Sequence, residues 1–329
     1  MLASNEAETD RLIASEPENV AALIRKADLR AGAGDAKAAN LFYRAALNAA
    51  AKSPVPSALA GEIRRVAEHC RRLSMRFEDY LEDSLVRAGF DASHRPPRFQ
   101  ESIDILLGRR EAFMSLQQPR TYYYPGLPQK RYYERTELPW AGAVEAYTDA
   151  IRGELLPLVE AGTDFEPYLT SDRSRPPRHG LIDNPDWSSL NLFDRGVPVE
   201  RNIGRCPRTL EAIEKADLFR LPTRAPQVMF SKLAGGAHID AHTGLLNVRL
   251  VCHLPLIVPD GCTFTVGGED RQWHEGELLT FDDSVLHEAV NRGESDRVVL
   301  IFEIWRPELN DHERAAVRAL FDAVDTYQH

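Results

Sequence analysis

The strand-like segments that begin near residue 226 restrict the fold of this chain more than any other feature. Short runs rich in Val, Ile, Leu and Phe follow one another there, and turn residues such as Pro259-Asp260-Gly261 and Gly267-Gly268 separate them. Several short strands at this spacing are typical of a β-sandwich or barrel, whereas a parallel sheet would need crossover helices between the strands. The sequence therefore predicts a sandwich or barrel in this region.

The first 117 residues differ in composition, because Ala, Leu, Glu and Arg dominate and few β-branched residues interrupt them. That composition predicts helices. Residues 16–51 have the pattern of two helices joined by a turn at Gly34 and Asp35, which fits a tetratricopeptide repeat as well as a generic helical hairpin. We therefore expect a helical, tetratricopeptide-like domain over 1–117 and a β-rich domain over 118–329.

Composition and charge exclude several classes of protein. With 43% hydrophobic and 27% charged residues the chain fits a globular protein, and a net charge of −10 argues against a general nucleic-acid binder. The N-terminus has no signal-peptide pattern, and no stretch approaches the roughly 18–20 apolar residues that cross a bilayer. The four cysteines are scattered without a CxxC pair, which is typical of reduced thiols. We expect a cytoplasmic protein that neither inserts into membranes nor binds nucleic acid.

Histidines are concentrated in the strand-rich region. Five of the ten lie there: His238, His242, His253, His274 and His287. A single histidine on a strand usually only packs, but this set is followed by Arg297 at the start of the last strand-like run. A non-haem Fe(II) oxygenase needs imidazoles that leave coordination positions open for a chelating co-substrate and O2. It also needs a guanidinium for the far carboxylate of that co-substrate, a role that suits Arg297.

The heptapeptide HIDAHTG that begins at His238 leaves the choice of metal ligands open. His238 and Asp240 have the two-residue spacing that suits ligation from one strand end, with His287 as the third ligand. The other candidate is His242, which is followed two residues later by Gly244, where a carboxylate ligand would be expected. A site of two histidines alone would bind iron more weakly because it lacks an anionic ligand. Spacing alone therefore favours His238 and Asp240.

Arg249 and His253 lie on one predicted strand, and alternation of side chains places both on the same face. They can point together into the mouth of a barrel, next to the metal site. In the alternative interpretation Arg249 is a solvated charge at an edge and His253 only fills space.

Longer segments resemble the aspartyl/asparaginyl β-hydroxylase family of Fe(II)/2-oxoglutarate dioxygenases. The matching segments are 231-SKLAGGAHIDAHTG-244, 247-NVRLVCHLPLIVPDGC-262, 276-GELLTFDDSVLHE-288 and 297-RVVLIFEIWRPEL-309. Weaker similarity upstream extends the resemblance to about residues 120–310. The resemblance implies an α+β protein, with a double-stranded β-helix (a cupin-like jelly roll) as the catalytic domain and tetratricopeptide-like helices before it.

The resemblance also implies a ligand set that differs from the one favoured by spacing. In the family, the histidine of the HTG motif and the histidine of FDDSxxHE hold the iron without a protein carboxylate. Those residues are His242 and His287 here, and Gly244 leaves the carboxylate out. His238 then matches a histidine that is not a ligand, and Asp240 lies near the site rather than in it.

The same resemblance assigns the co-substrate contacts. Arg297 and Ser231 are implied to bind the distal carboxylate of 2-oxoglutarate, and His253 is implied to lie near the end that chelates iron. Arg249 matches an arginine placed beside co-substrate and substrate.

One departure from the family pattern affects the substrate. Relatives that act on aspartyl or asparaginyl side chains tend to have Arg-Leu-Arg-x-His, whereas this chain has Val251 in place of the second arginine. A substrate carboxylate bound there would lose a bidentate partner, a difference of about 1.5–3 kcal/mol for a charged hydrogen bond.

The resulting expectation is a hydroxylase that uses Fe(II), 2-oxoglutarate and O2. It would oxidise a C–H bond of an Asp or Asn side chain in a peptide or protein, with release of succinate and CO2. One alternative is a small-molecule substrate such as a free amino acid, or a lipid acyl chain. A cupin-like binding protein without catalysis is an alternative of another class.

Overall fold

The computed structural model describes most of the chain. The described residues are 2–52, 56–110, 116–162, 164–170 and 183–327, with side chains from residue 6 onward. Residues 171–180, whose Pro, Arg and Gly content predicts a surface loop, lie outside the described residues. Contacts divide the chain into two compact units, the first consisting mainly of Met1–Asp83 and the second of Ser84–Leu169 and Asp183–Asp325.

The first unit is helical. Its helices are α1 (Leu2–Ser15), α2 (Val20–Gly32), α3 (Ala36–Lys52) and most of α4 (Ala60–Arg87). Helix α2 begins after Asn19, whose side-chain oxygen accepts the N–H of Ala22 at 3.0 Å, and Gly34 turns the chain toward α3 with a φ of +82°. Leu23 and Phe42 are buried in one cluster, so α2 and α3 form the expected hairpin. Its assignment as a tetratricopeptide repeat stays a prediction.

The second unit contains further helices that pack against its sheets. They are α5 (Pro97–Leu106), α6 (Ala141–Glu145), α7 (Thr148–Ala161), α8 (Glu200–Ile203), α9 (Pro207–Ile213) and α10 (Asp311–Thr326). Arg98 of α5 donates two hydrogen bonds to Glu313 of α10, at 2.9 and 2.7 Å, and Ser102 bonds Tyr122 at 2.6 Å. These bonds join α5 to the β-rich unit, so the contact boundary lies within α4 and not at residue 117, where composition changes.

Twelve strands in the described residues form two antiparallel sheets. They are β1 (Tyr132–Tyr133), β2 (Glu166–Pro167), β3 (Trp187–Asp194), β4 (Val197–Pro198), β5 (Val228–Leu233), β6 (His238–His242), β7 (Arg249–Ile257), β8 (Cys262–Val266), β9 (Glu269–Arg271), β10 (Leu279–Phe281), β11 (His287–Asn291) and β12 (Arg297–Trp305). The larger sheet has the order β1-β10-β7-β12-β5-β3-β2, with β4 paired to β3, and the smaller has the order β6-β11-β8-β9. The predicted α+β fold with a jelly-roll β domain is confirmed.

The larger sheet is buried on both faces, which explains why β7 is apolar almost throughout. Leu250 and Leu254 lie in a cluster with Leu155 of α7, on the face that the helices cover. On the opposite face Val251 joins a second cluster, between the two sheets. Because side chains alternate along a strand, Arg249 also lies on this inner face with His253.

Two expectations from composition can be compared with the structure. No helix among the described residues combines the length and the apolar character that a membrane span needs. All four cysteines are buried, and none is paired in a disulfide. Burial raises the pKa of both Cys206 and Cys252 to about 12, so these thiols stay protonated at neutral pH.

Candidate active site

His242 and His287 meet where β6 pairs with β11. The two residues are register partners, as are Ile239 and Ala289, so β6 has one residue more than β11 between these pairs. This extra residue is a β-bulge, which re-aims the side chains that follow it. The ring centroids of His242 and His287 are 4.2 Å apart, and the structure therefore brings together the ligand pair that the resemblance implies.

His238 and Asp240 lie elsewhere. His238 Nε2 is 2.8 Å from the carboxylate of Glu288, and its Nδ1 is 3.6 Å from Asp240 Oδ1. Since Glu288 follows His287 on β11, its side chain lies on the opposite face of the strand. The structure therefore does not bring His238 and Asp240 to His287. Among the described residues, no group of three or more His, Cys, Asp or Glu side chains is arranged to hold a metal ion.

Both paired histidines present the same ring nitrogen to the site. His242 Nδ1 is 2.8 Å from the carbonyl oxygen of Asp240, and His287 Nδ1 is 2.8 Å from that of Val285. A ring nitrogen that faces a carbonyl carries the proton, so the lone pair of each ring is on Nε2. Burial, together with the nearby His242, lowers the pKa of His287 to about 3. A neutral imidazole with an Nε2 lone pair is the form that ligates a metal.

His253 has the opposite tautomer. Its Nδ1 accepts the indole N–H of Trp273 at 3.2 Å, so the proton of a neutral ring is on Nε2. Burial, and then the charges of Arg297 and His287, hold the pKa of His253 well below its usual range. His253 therefore offers a hydrogen-bond donor where the metal-ligating histidines would offer lone pairs, which suits a carboxylate oxygen.

Arg297 is the most unusual side chain of the inner face. It is 1% exposed, its guanidinium carbon is 4.7 Å from the ring centre of Trp273, and burial lowers its pKa to about 10. Its Nε and Nη1 atoms are buried without a hydrogen-bond partner among the described residues. An unpaired buried guanidinium is costly, so these atoms indicate a place built for an anion.

Ser231 lies one strand away from Arg297. Its register partner is Val299 on β12, and it is buried with its hydroxyl oxygen accepting the indole N–H of Trp187 at 3.3 Å. The hydroxyl proton remains available for an acceptor on the same inner face as Arg297. The structure therefore places the two residues implied for the distal carboxylate on neighbouring strands.

Arg249 is engaged by two buried carboxylates. Its Nη2 donates to Asp283 Oδ2 at 2.8 Å, and its Nη1 contacts the carboxylate of Glu303. The arginine implied to lie beside co-substrate and substrate is thus already charge-paired, with two acidic groups for one guanidinium. Its contact with either molecule stays a prediction.

A carboxylate from another part of the chain lies against Gly244, two residues after His242. A Cβ atom built on Gly244 would overlap the carboxylate of Asp283, whose Oδ1 is buried without a partner among the described residues. Asp283 therefore fills the space that a side chain at position 244 would use. The sequence points to an acidic turn here, in the motif FDDS, but not to the proximity of Asp283 and Gly244.

Asp282 fixes the turn before β11. Its Oδ1 accepts the N–H and the O–H of Ser284, and its Oδ2 accepts bonds from Arg306 at 2.7 Å and Gln117 at 2.6 Å. Asp282 and Arg306 are both fully buried. The carbonyl of Val285, in this turn, orients the ring of His287. Asp282 therefore positions His287 through the backbone, without contact to its ring.

Replacing Asp282 by asparagine is expected to lower the free energy of unfolding by about 3 kcal/mol, because it breaks a buried ion pair and leaves the charge of Arg306 undercompensated. Urea denaturation measures the effect. Glu214→Gln, which removes the exposed partner of Arg220, serves as the control and should leave the midpoint unchanged. Equal midpoints for the Asp282 variant and the wild type would show that the buried pair does not stabilise the turn.

Comparison with known proteins agrees with this geometry. The family described as Aspartyl/Asparaginyl beta-hydroxylase matches residues 145–307, which include both histidines of the pair and Arg297. This part of the chain is similar to the aspartyl/asparaginyl β-hydroxylase family. The resemblance inferred from the sequence motifs is confirmed.

Several relatives share this region. Mouse aspartate beta-hydroxylase domain-containing protein 2 is 32% identical over 211 residues, which are 63% of this chain and 60% of that protein. Mouse aspartyl/asparaginyl beta-hydroxylase is 30% identical over 251 residues, 74% of this chain and 31% of the relative. Human aspartate beta-hydroxylase domain-containing protein 1 is 30% identical over 65% of this chain and 54% of its own length. The chain thus spans less than two thirds of each relative.

Proposed function

We propose that this protein is a cytoplasmic Fe(II)/2-oxoglutarate-dependent hydroxylase that oxidises a C–H bond of an Asp or Asn side chain in a peptide or protein. Bound iron and 2-oxoglutarate supply the oxidation, in which O2 gives one oxygen atom to succinate, formed with CO2, and the other to the substrate. The observation that carries the proposal is the buried guanidinium of Arg297, with unpaired N–H groups, on the larger sheet, while His242 and His287 pair on the smaller sheet.

The residues present fit a metal and a dicarboxylate together. His242 and His287 would hold the metal through Nε2, and two protein ligands leave positions for a chelating co-substrate and O2. Arg297 would bind the far carboxylate with its planar fork, and Ser231 would donate to the same group. Trp273 contacts both His253 and Arg297, and Phe281 packs against both His253 and His287, so the Nε2–H of His253 would donate to the co-substrate between these groups.

The walls of the site exclude water. The rings of Phe264 and Phe281 lie 5.2 and 5.0 Å from that of His253, and Phe281 also lies 5.2 Å from His287. Such apolar surroundings strengthen the attraction between Arg297 and a carboxylate, because the local dielectric constant is low.

Turnover of 2-oxoglutarate tests the proposal. The purified chain with Fe(II), 2-oxoglutarate and O2 should release succinate, and peptides containing Asp or Asn should gain the mass of one oxygen atom. Succinate release without any peptide product would favour a small metabolite or a lipid acyl chain as the substrate. Absence of both coupled and uncoupled turnover would contradict the enzyme and favour a cupin-like binding protein.

A further inference from the structure

Among the described residues, the inner face offers no unpaired cation for the substrate in addition to Arg297. Arg249 is held by Asp283 and Glu303, and the position two residues further on is the apolar Val251. Arg297 is deeply buried and suits the co-substrate. With one guanidinium against two carboxylates, the surroundings of Arg249 are net negative, so a substrate carboxylate entering there would meet repulsion rather than a partner.

Another cation, Arg120, is on the segment that comes before β1, and the backbone of that segment bonds to both segments that carry the histidine pair. We call residues 117–122 the entrance segment. The backbone N–H of Arg120 donates to the carbonyl of Gly244 at 3.0 Å, and that of Gln118 donates to the carbonyl of Ser284 at 2.6 Å. The entrance segment therefore runs beside both segments that present the paired histidines. The Arg120 side chain is exposed and forms no hydrogen bond or ion pair with any described residue.

The charge of Arg120 also acts on an aromatic residue near the histidine pair. Burial raises the pKa of Tyr168, and the Arg120 guanidinium is among the nearby charges that lower it again. Tyr168 stacks on Trp187, with ring centroids 4.3 Å apart, and Trp187 in turn lies beside the histidine pair. Arg120 and Tyr168 therefore lie around the same side of the pair.

We propose that Arg120 binds the carboxylate of the substrate and so makes this site prefer aspartyl over asparaginyl side chains, which names a substrate class within the proposed function. A guanidinium has only donors, and it can pair with both oxygens of a carboxylate. An asparagine amide offers a single acceptor and no charge. The entrance segment thus supplies the cation that Val251 does not supply on β7.

Retention of peptides measures this preference without requiring catalysis. The full chain, loaded with Zn(II) and the unreactive 2-oxoglutarate analogue N-oxalylglycine, is exposed to two peptide libraries. These have randomised flanks and either Asp or Asn fixed at the centre, and mass spectrometry counts the retained peptides. The wild type should retain Asp peptides about 10-fold over Asn peptides, as loss of a charged hydrogen bond predicts. Arg120→Gln should bring the ratio within about twofold of unity, by loss of Asp peptides alone.

Two further variants sharpen the result. Arg120→Lys keeps the charge but not the fork, so its ratio should lie between those of the wild type and Arg120→Gln. Arg220→Gln removes an exposed arginine that is paired with Glu214, and it should keep the wild-type ratio.

A wild type that shows no preference, or that retains neither library, would overturn the role of Arg120, as would an Arg120→Gln variant that keeps the preference. The same libraries incubated with Fe(II), 2-oxoglutarate and O2 report separately on the proposed function. An intact, Arg120-dependent preference without any hydroxylated peptide would support the carboxylate subsite and count against the hydroxylase. Hydroxylation of both libraries with no effect of Arg120→Gln would do the reverse.

Discussion

Replacing His242 by alanine is expected to abolish Fe(II)-dependent turnover of 2-oxoglutarate, because the rings of His242 and His287 lie together, with centroids 4.2 Å apart, where β6 pairs with β11. With one of the two proposed protein ligands removed, metal affinity should fall by more than the roughly 10–100-fold that loss of an outer-shell partner costs. Co(II) binding, followed by its visible absorption, measures the affinity, and succinate release measures turnover.

Asp240→Ala and His238→Ala are the matched controls, since both residues lie within four positions of His242 but their side chains contact Glu288 and each other rather than the pair. Both should leave metal affinity and turnover within about threefold of the wild type, as expected for surface substitutions. The opposite pattern, with His242→Ala active and Asp240→Ala inactive, would place the metal at the His238 end of the segment.

Replacing Arg297 by glutamine should raise the KM for 2-oxoglutarate by about 100-fold, because two charge-assisted hydrogen bonds to the distal carboxylate are lost and each contributes roughly 1.5–3 kcal/mol. Anaerobic titration of 2-oxoglutarate into the metal-loaded protein gives the dissociation constant, and succinate release gives the KM. Arg297→Lys should recover part of the affinity, since it keeps the charge without the planar fork.

Stability separates this role of Arg297 from a structural one. The unpaired Nε and Nη1 atoms mean that glutamine removes no hydrogen bond of those atoms from the ligand-free protein. Thermal unfolding without 2-oxoglutarate should therefore occur at the wild-type temperature or above it, while the stabilisation by added 2-oxoglutarate should disappear. A variant that unfolds much earlier without the ligand, with unchanged affinity for it, would show that Arg297 serves the fold only.

The α+β fold could be predicted because its signals are local. Apolar runs with turn residues between them indicated β5, β7, β8 and β12, and burial on both faces is what makes β7 and β12 so apolar. Strand β3 was harder to predict from period alone, since Ser188, Ser189 and Asn191 interrupt its apolar residues, yet it pairs with β5 along most of its length. The contact boundary within α4 depends on side-chain bonds such as Arg98 to Glu313, which composition does not reveal.

The metal site shows where local spacing fails. Strict alternation would put His238, Asp240 and His242 on one face, and only the bulge opposite β11 separates His242 from the other two. The bulge arises from pairing between segments more than 40 residues apart, so no local pattern in the heptapeptide predicts it. Resemblance to the family supplied what spacing could not.

Contacts between residues that are distant in the sequence account for the other features of the site that the sequence did not predict. Asp283 enters the space beside Gly244, and Arg249 is shared by Asp283 and Glu303, from a turn and a strand far along the chain. The sequence shows each of these residues as a charged group near a motif, but not which groups pair. That these charged groups pair with one another is known only from the three-dimensional register of the strands. Because of this pairing, Arg120 is the cation proposed for the substrate.

The most direct test of the central claim is the visible absorption of the wild-type protein when Fe(II) and then 2-oxoglutarate are added without oxygen. Chelation of iron by the 2-oxo acid in a site of two imidazoles should produce a metal-to-ligand charge-transfer band that saturates with 2-oxoglutarate. The band should be absent in His242→Ala and should require far more co-substrate in Arg297→Gln. A wild-type protein that gives no such band, and releases no succinate when air is admitted, would contradict an Fe(II)/2-oxoglutarate site between these sheets.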